Sequence, residues 1–286
     1  MLKLNKMKKY LLLLLSIGFF ACSSDDDSSS NGNGGQEPNQ KNYFPLVEGN
    51  EWDYTNMVSS SEDGNNETIE KLSVEEELQT ESGSRFRLSS TSDDANFSIT
   101  GILSNGIIYK ENSKLLLTGG FDLDLEDIEA FPDFGIDFED LVIFDADANL
   151  GSIIFNDERD VTLPEFNNIT LSIDIQIQST SLGSMDSMEV DGTTYEDVIS
   201  SSFVVTIEGT ASVVVPPIPF PISLNIIEKQ DFVSSVNFFA NEVGLIQSET
   251  DINLEFADFG DQLPVELPDI TASILQQLTT FNVTLE

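Results

Sequence analysis

The chain of 286 residues carries 51 Asp and Glu against 12 Lys and Arg, a formal charge of −39, and it has no histidine. Phosphate backbones are bound by a basic footprint, so this balance excludes nucleic acid as a partner. The missing imidazole removes Ser-His-Asp catalysis, the commonest general base and the commonest zinc ligand. With one cysteine there is no disulfide within the chain, and a hydrophobic content of 40% must supply the core unaided.

The first predicted element is a targeting segment. Lys3, Lys6, Lys8 and Lys9 precede an apolar run of 12 residues from Tyr10 to Ala21. Crossing a bilayer as a helix takes about 20 residues, so residues 1–21 read as a secretory signal peptide. Ala21-Cys22 resembles the lipobox of bacterial lipoproteins, with Phe19 where leucine is usual. That resemblance implies cleavage before Cys22 and its acylation, palmitate included, with membrane lipid as the partner. Each buried methylene then contributes about 0.8 kcal/mol, and more than one chain anchors stably.

A tether follows. Ser23 to Lys41 holds no aliphatic or aromatic residue, so it cannot offset its ordering entropy. As a glycine-rich coil it spans on the order of 25 Å. Within it, Ser24, Asp25, Asp26 and Asp27 resemble the acidic export signal of surface lipoproteins in the Bacteroidota. The resemblance implies an outer-membrane protein displayed at the cell surface. Residues 22–42 are thus anchor and linker, and 43–286 a single domain.

In that domain the periodicity is β. Residues 169–177 read ITLSIDIQI, with Ile or Leu at every odd position and a polar residue between. Such a strand buries one face and wets the other. Strands are predicted at 52–59, 68–79, 85–90, 96–101, 106–111, 115–118, 198–208, 223–236, 244–255 and 273–285. Asp63-Gly64, Asn105-Gly106 and Asp191-Gly192 supply hairpin chemistry between them. Gln276 and Gln277 suit a short helix, but the surrounding Thr, Phe and Val favour a strand. Three segments break the rhythm and are predicted as long loops: acidic 121–144, proline-rich 215–221 and acidic 257–269. The fold class is mostly β, a large curved antiparallel sheet or open half-barrel.

Three short motifs lie in this domain: YFPLVEGNEWDY at 43–54, Thr194-Tyr195-Glu196-Asp197-Val198, and VNFFANEVGLIQSE at 236–249. Together they resemble a family of Bacteroidota outer-membrane lipoproteins that opens on "FPL..G..W.Y" and closes on "VGL(I/V)". The family is similar to the lipoprotein-localisation-factor folds, which implies the half-barrel and no particular activity. Read physically, Trp52 brings a large aromatic to the core. Gly244 permits a bend or bulge where a sheet curls.

Candidate chemistry is sparse. Asp145, Asp147 and Asn149 place oxygens at alternate positions, as calcium loops do. Gly151 falls one place late for an EF-hand, and Asn156 stands where a bidentate Glu is required. Asp186-Ser187-Met188 resembles the O-glycosylation acceptor of envelope proteins in this phylum, with Ser187 as the site. Carboxylate pairs can hydrolyse glycosides, but 51 carboxylates make close pairs inevitable. The expectation is a non-catalytic, lipid-anchored binding or structural module without cofactor, for an apolar ligand or a protein partner. The alternative is a calcium-dependent surface adhesin or glycan-binding domain.

Overall fold

The computed structural model describes residues 41–60, 64–91, 98–123, 134–163, 169–214, 221–257 and 269–285. Lys41–Glu286 form one compact unit. Alternation builds it. In β1 (Glu51–Ser60), Trp52, Tyr54 and Asn56 are buried and the residues between them are half-exposed. In β2 (Gly64–Thr80), Glu70, Leu72 and Val74 take the inner face. After β3 (Gly83–Ser90) and helix α1 (Ile99–Ser104), β4 (Gly106–Glu111), β5 (Lys114–Leu123) and β6 (Phe134–Asp145) follow. The second half comprises β7 (Ile153–Thr162), β8 (Ile169–Val190), β9 (Thr193–Val214), β10 (Pro221–Ala240), β11 (Gly244–Leu254) and β12 (Ile270–Asn282).

The 12 strands of the described residues form one antiparallel sheet in the order β6-β5-β4-β3-β2-β1-β12-β11-β10-β9-β8-β7. Two meanders, β1–β6 and β7–β12, are therefore joined where β1 pairs with β12. Their far ends, β6 and β7, are the sheet edges, yet they are consecutive in the chain. The sheet curls until those edges approach, and the barrel is nearly closed. Ser201 Oγ on β9 reaches Ile143 O on β6 at 2.8 Å, across what would be the far side of a flat sheet.

The expected fold class holds, and the local differences have physical causes. Residues 98–101, predicted in a strand, open α1 instead. Ser98 caps it, its Oγ accepting from Gly101 N at 3.0 Å. Ile99, Ile102 and Leu103 then share the helical apolar face and are buried. Asn105-Gly106, read as a hairpin turn, ends this helix: Asn105 N donates to Gly101 O and Ile102 O. Asp191-Gly192 is a hairpin turn as expected, with both residues at positive φ (46° and 76°).

Residues 121–144, predicted as a loop, contribute the end of β5 and β6 up to Phe144, while 124–133 lie outside the described residues. Strand β7 was not predicted at all. Residues 215–220 and 258–268, also predicted as loops, lie outside the described residues. Gln276 and Gln277 lie in β12, as the neighbouring residues required.

The core is continuous along the inner face, and Trp52, Tyr54, Phe44, Leu46 and Phe239 are essentially unexposed within it. Each fully buried side chain of this size contributes about 1.5–3 kcal/mol, the only large favourable term open to a chain without a disulfide. Helix α1 lies inside the curl, where Thr100 Oγ1 accepts from Gln276 Nε2 at 2.7 Å.

Gly244 is where this packing tolerates nothing larger. Its φ is +115°, and a Cβ there would meet Trp52 Nε1 at 2.9 Å. Gly244→Ala is expected to cost about 2–4 kcal/mol in urea unfolding, from strain plus displacement of the indole. Gly64→Ala, at φ +75° with nothing within 4 Å, costs about 1 kcal/mol by backbone strain alone. Equal losses at the two positions would refute the packing argument.

Candidate functional site

The three sequence motifs converge. Phe44 stacks on Trp52 with centroids 5.1 Å apart and meets Phe239 edge-on at 6.3 Å. Trp52 Nε1 donates to Val243 O at 2.6 Å, and Tyr54 Oη donates to Leu245 O at 3.0 Å. Burial, with the Glu70 carboxylate as a smaller cause, pushes the Tyr54 phenol well above its ordinary pKa. The middle motif arrives through Asp197. Its Oδ1 accepts from Lys41 Nζ at 2.6 Å and Tyr43 Oη at 3.0 Å, and its carbonyl accepts from Asn241 N. Asn42 and the β10–β11 turn bind reciprocally, Asn42 N to Asn241 Oδ1 and Glu242 N to Asn42 O. Lys41 and Asn42, read from sequence as the end of the linker, are thus part of this clasp.

One level along the barrel, the inner face turns polar. Glu70 is fully buried, although its neighbour Ile69 is 79% exposed on the outer face. Its Oε2 accepts from Asn56 Nδ2 (2.6 Å) and Gln276 Nε2 (3.0 Å), and its Oε1 accepts from Ser90 Oγ (2.5 Å). Three donors satisfy a carboxylate that would otherwise be very costly to bury. The layer continues across the sheet. Asn237 Oδ1 accepts from Ser235 Oγ and Ser248 Oγ, and Ser201 lies beyond on β9. Gln276 Oε1, Asn237 Nδ2 and Ser179 Oγ are buried without a partner among the described residues, so the layer suits buried water. This interior is occupied by side chains, polar at mid-height and apolar on either side.

The cavities outlined by described residues lie elsewhere. One of about 360 Å³ sits between the 145–150 turn and the β8–β9 pair, lined by Phe144, Leu150, Leu182 and Ser201 among others. A groove of about 680 Å³ runs between β6 and β7, walled by Phe138, Glu139, Asp140, Phe155, Asp157 and Arg159. On the outer face, Asp160, Asp174 and Glu208 stand directly opposite one another across β7, β8 and β9. Desolvation first, then a shared hydrogen bond with Asp160, raises the Asp174 pKa, and the charge of Glu208 adds to it. The folded-state value lies above the unfolded one. Stability from this group is therefore present below the unfolded pKa and lost as pH rises through the folded pKa.

The residues singled out from sequence fall as follows. Cys22, Ser24, Asp25, Asp26 and Asp27 lie outside the described residues. Asp145 is spent on its own turn, where Oδ1 accepts from Ser113 Oγ at 2.7 Å and Asp147 N at 3.1 Å. Asp147 and Asn149 are exposed beyond it. Among the described residues no three His, Cys, Asp or Glu side chains gather as a metal site. Ser187 is exposed on β8, opposite Glu196. Sequence reading missed Glu70 and the seam between β6 and β7. The inverted Ile69-Glu70 pair, out of phase with Leu72 and Val74, was the available signal for the first.

Glu70→Ala removes the acceptor shared by Asn56, Ser90 and Gln276, strands the buried Asn56 amide and leaves a cavity. It is expected to cost about 2–4 kcal/mol in chemical denaturation. Glu70→Gln keeps the shape and one acceptor and costs about 1–2 kcal/mol. The reverse order would show that the carboxylate does not organise the layer. Asp174→Asn is expected to raise the melting temperature at low salt and at neutral pH, by relieving facing like charges. The gain shrinks in molar salt, and a gain insensitive to salt would rule out the electrostatic cause.

No protein-family model matches the chain, and no curated protein matches it. Two crystal structures are similar to it. One is of a Bacteroides fragilis protein named as exported and as having a YmcC-like fold. It is 13% identical and covers 85% of this chain and 100% of its own, with a TM-score of 0.35. The other is of a Parabacteroides distasonis protein named as a lipoprotein. It is 11% identical over the same 85% and 100%, with a TM-score of 0.34.

Proposed function

We propose that this chain is a non-catalytic recognition or structural module, tied to the outer membrane by acylated Cys22 and facing the cell exterior. The observation that carries this reading is the clasp: Lys41 and Asn42, the last residues of the polar tether, are gripped by Asp197, Asn241 and Glu242. A body held at the point where its leash joins transmits tension into the sheet and not into a fraying terminus.

A second support concerns the ligand. The curl is filled by Trp52, Phe239, α1 and the polar layer around Glu70. An apolar guest would have to displace them at several kcal/mol. Recognition of a protein partner at the outer surface or along the seam needs no such rearrangement, and the module acts as a tethered contact surface.

Cys22→Ser in the producing bacterium tests the anchor. The unsubstituted chain is expected to fractionate with membranes and to incorporate a radiolabelled fatty acid. The variant is expected to be soluble and unlabelled. A variant that stays with membranes, together with an unlabelled parent, would overturn the assignment. Replacing Asp25, Asp26 and Asp27 by Ala is expected to protect the body from protease added to intact cells. Undiminished digestion would remove the export role of that cluster.

A further inference from the structure

The chain brings its two sheet edges face to face, and among the described residues they are not paired with each other. Strand β6 is bonded on one side to β5, and β7 on one side to β8. At one end the gap is closed: Leu141, Val142, Ile143 and Phe144 are all buried, and Ser201 Oγ holds Ile143 O. Towards Gly135 it is open, and this is the groove of about 680 Å³.

Two features keep the open half from zipping. Asp140 sits at φ +55°, where the β5–β6 register shifts between Leu117 and Gly119. That bulge turns the β6 edge out of line. In addition Asp137 and Glu139 are exposed on β6 and Asp157 lines the facing wall, and like charges oppose direct pairing, whereas Asp140 turns back to Tyr109 and Thr118. Arg159 fills the space between. Its Nε donates to Asp157 Oδ2 at 3.0 Å, its Nη2 donates to the same oxygen, and its Nη1 donates to the backbone carbonyl of Asp137. One position on the β6 edge is thus already answered by a donor that is a cation.

We propose that the open half of this seam takes one extended basic segment of a partner protein, added as a strand to the β6 edge. A strand sits about 4.8 Å from its neighbour and alternates its side chains between faces. Lysines or arginines on one face meet Asp137 and Glu139, and apolar residues on the other rest on half-buried Phe155. Partner N–H groups take over the Asp137 carbonyl, and Arg159 swings to Asp157 alone. A second copy of this chain is the wrong occupant, because each copy would bring the same carboxylates to the contact. The inference deepens the recognition reading by naming the partner class, and it holds whether or not Cys22 carries lipid.

The test uses the full chain in detergent and three fluorescent peptides of about seven residues, one strand's length. One alternates Lys and Val, one alternates Glu and Val, and the third is the Lys/Val peptide N-methylated at alternate positions. The Lys/Val peptide is expected to bind, more weakly as salt rises, and to slow amide exchange within 134–140 roughly tenfold. The other two are expected not to bind. Glu139→Lys, at an exposed position, is expected to weaken Lys/Val binding without shifting the melting temperature. The proposal is overturned if the Lys/Val peptide fails to bind or protects amides away from the seam. Equal binding of the N-methylated peptide overturns strand addition, and equal binding of the Glu/Val peptide overturns the charge rule.

Discussion

Trp52 is the constraint on which the rest of the barrel depends. Its indole is wedged between the Phe44 ring and the bare Cα of Gly244, with its one polar atom satisfied by Val243 O. These contacts join residues nearly two hundred positions apart, so they repay the loop-closure entropy of the fold at a single place. They also set the registers around them. The β1–β12 ladder shifts between Asp53 and Tyr54, and the β10–β11 ladder shifts between Phe238 and Phe239, on either side of the indole. Irregularities of that kind bend a strand and increase its twist.

What the clasp does for one end of the barrel, the Glu70 layer does for the middle. A carboxylate, three amides (Asn56, Asn237 and Gln276) and a set of hydroxyls occupy positions that Leu or Val would fill in an ordinary core. Apolar side chains can slide past one another by one position at modest cost. Glu70 accepts from Asn56, Ser90 and Gln276 together, so it ties β1, β2, β3 and β12 into one alignment. A layer that is satisfied in one arrangement penalises the others. The arrangement trades stability for a defined register around a sheet whose apolar alternation would tolerate slippage.

The same economy explains the seam. A twelve-stranded meander whose first and last strands already pair needs one more ladder, between β6 and β7, to become a closed barrel. Half of that closure is made by packing and by Ser201. The other half is held apart by a bulge and by charge, with a single guanidinium across the gap. Natural sheets protect their edges with these devices. Here the two protected edges look at each other, so one groove has strand-bonding capacity on both walls and a strongly negative lining.

The sequence alone determined much. The period-two pattern of 169–177 and its neighbours pointed to strands with one face buried, because successive side chains alternate across a strand. Composition argued against nucleic acid and removed histidine chemistry and a disulfide within the chain, and the motif glycine and tryptophan announced a place where a sheet bends around an aromatic. Tertiary structure decided the rest. Strand β7 escaped notice because an edge strand is paired on one side and half-wetted, so Asp157, Glu158, Arg159 and Asp160 interrupt its apolar alternation. Strand β6 was hidden by its acids and by Pro132 and Gly135, although Phe134, Ile136 and Phe138 alternate. Residues 98–101 looked extended until Ser98 capped them and the interior of the curl demanded a plug. Glu70 read as one acid among 51, since only folding places Asn56, Ser90 and Gln276 around it. Burial and charge pairing belong to residues far apart in the chain, and no local pattern encodes which of many carboxylates will be enclosed.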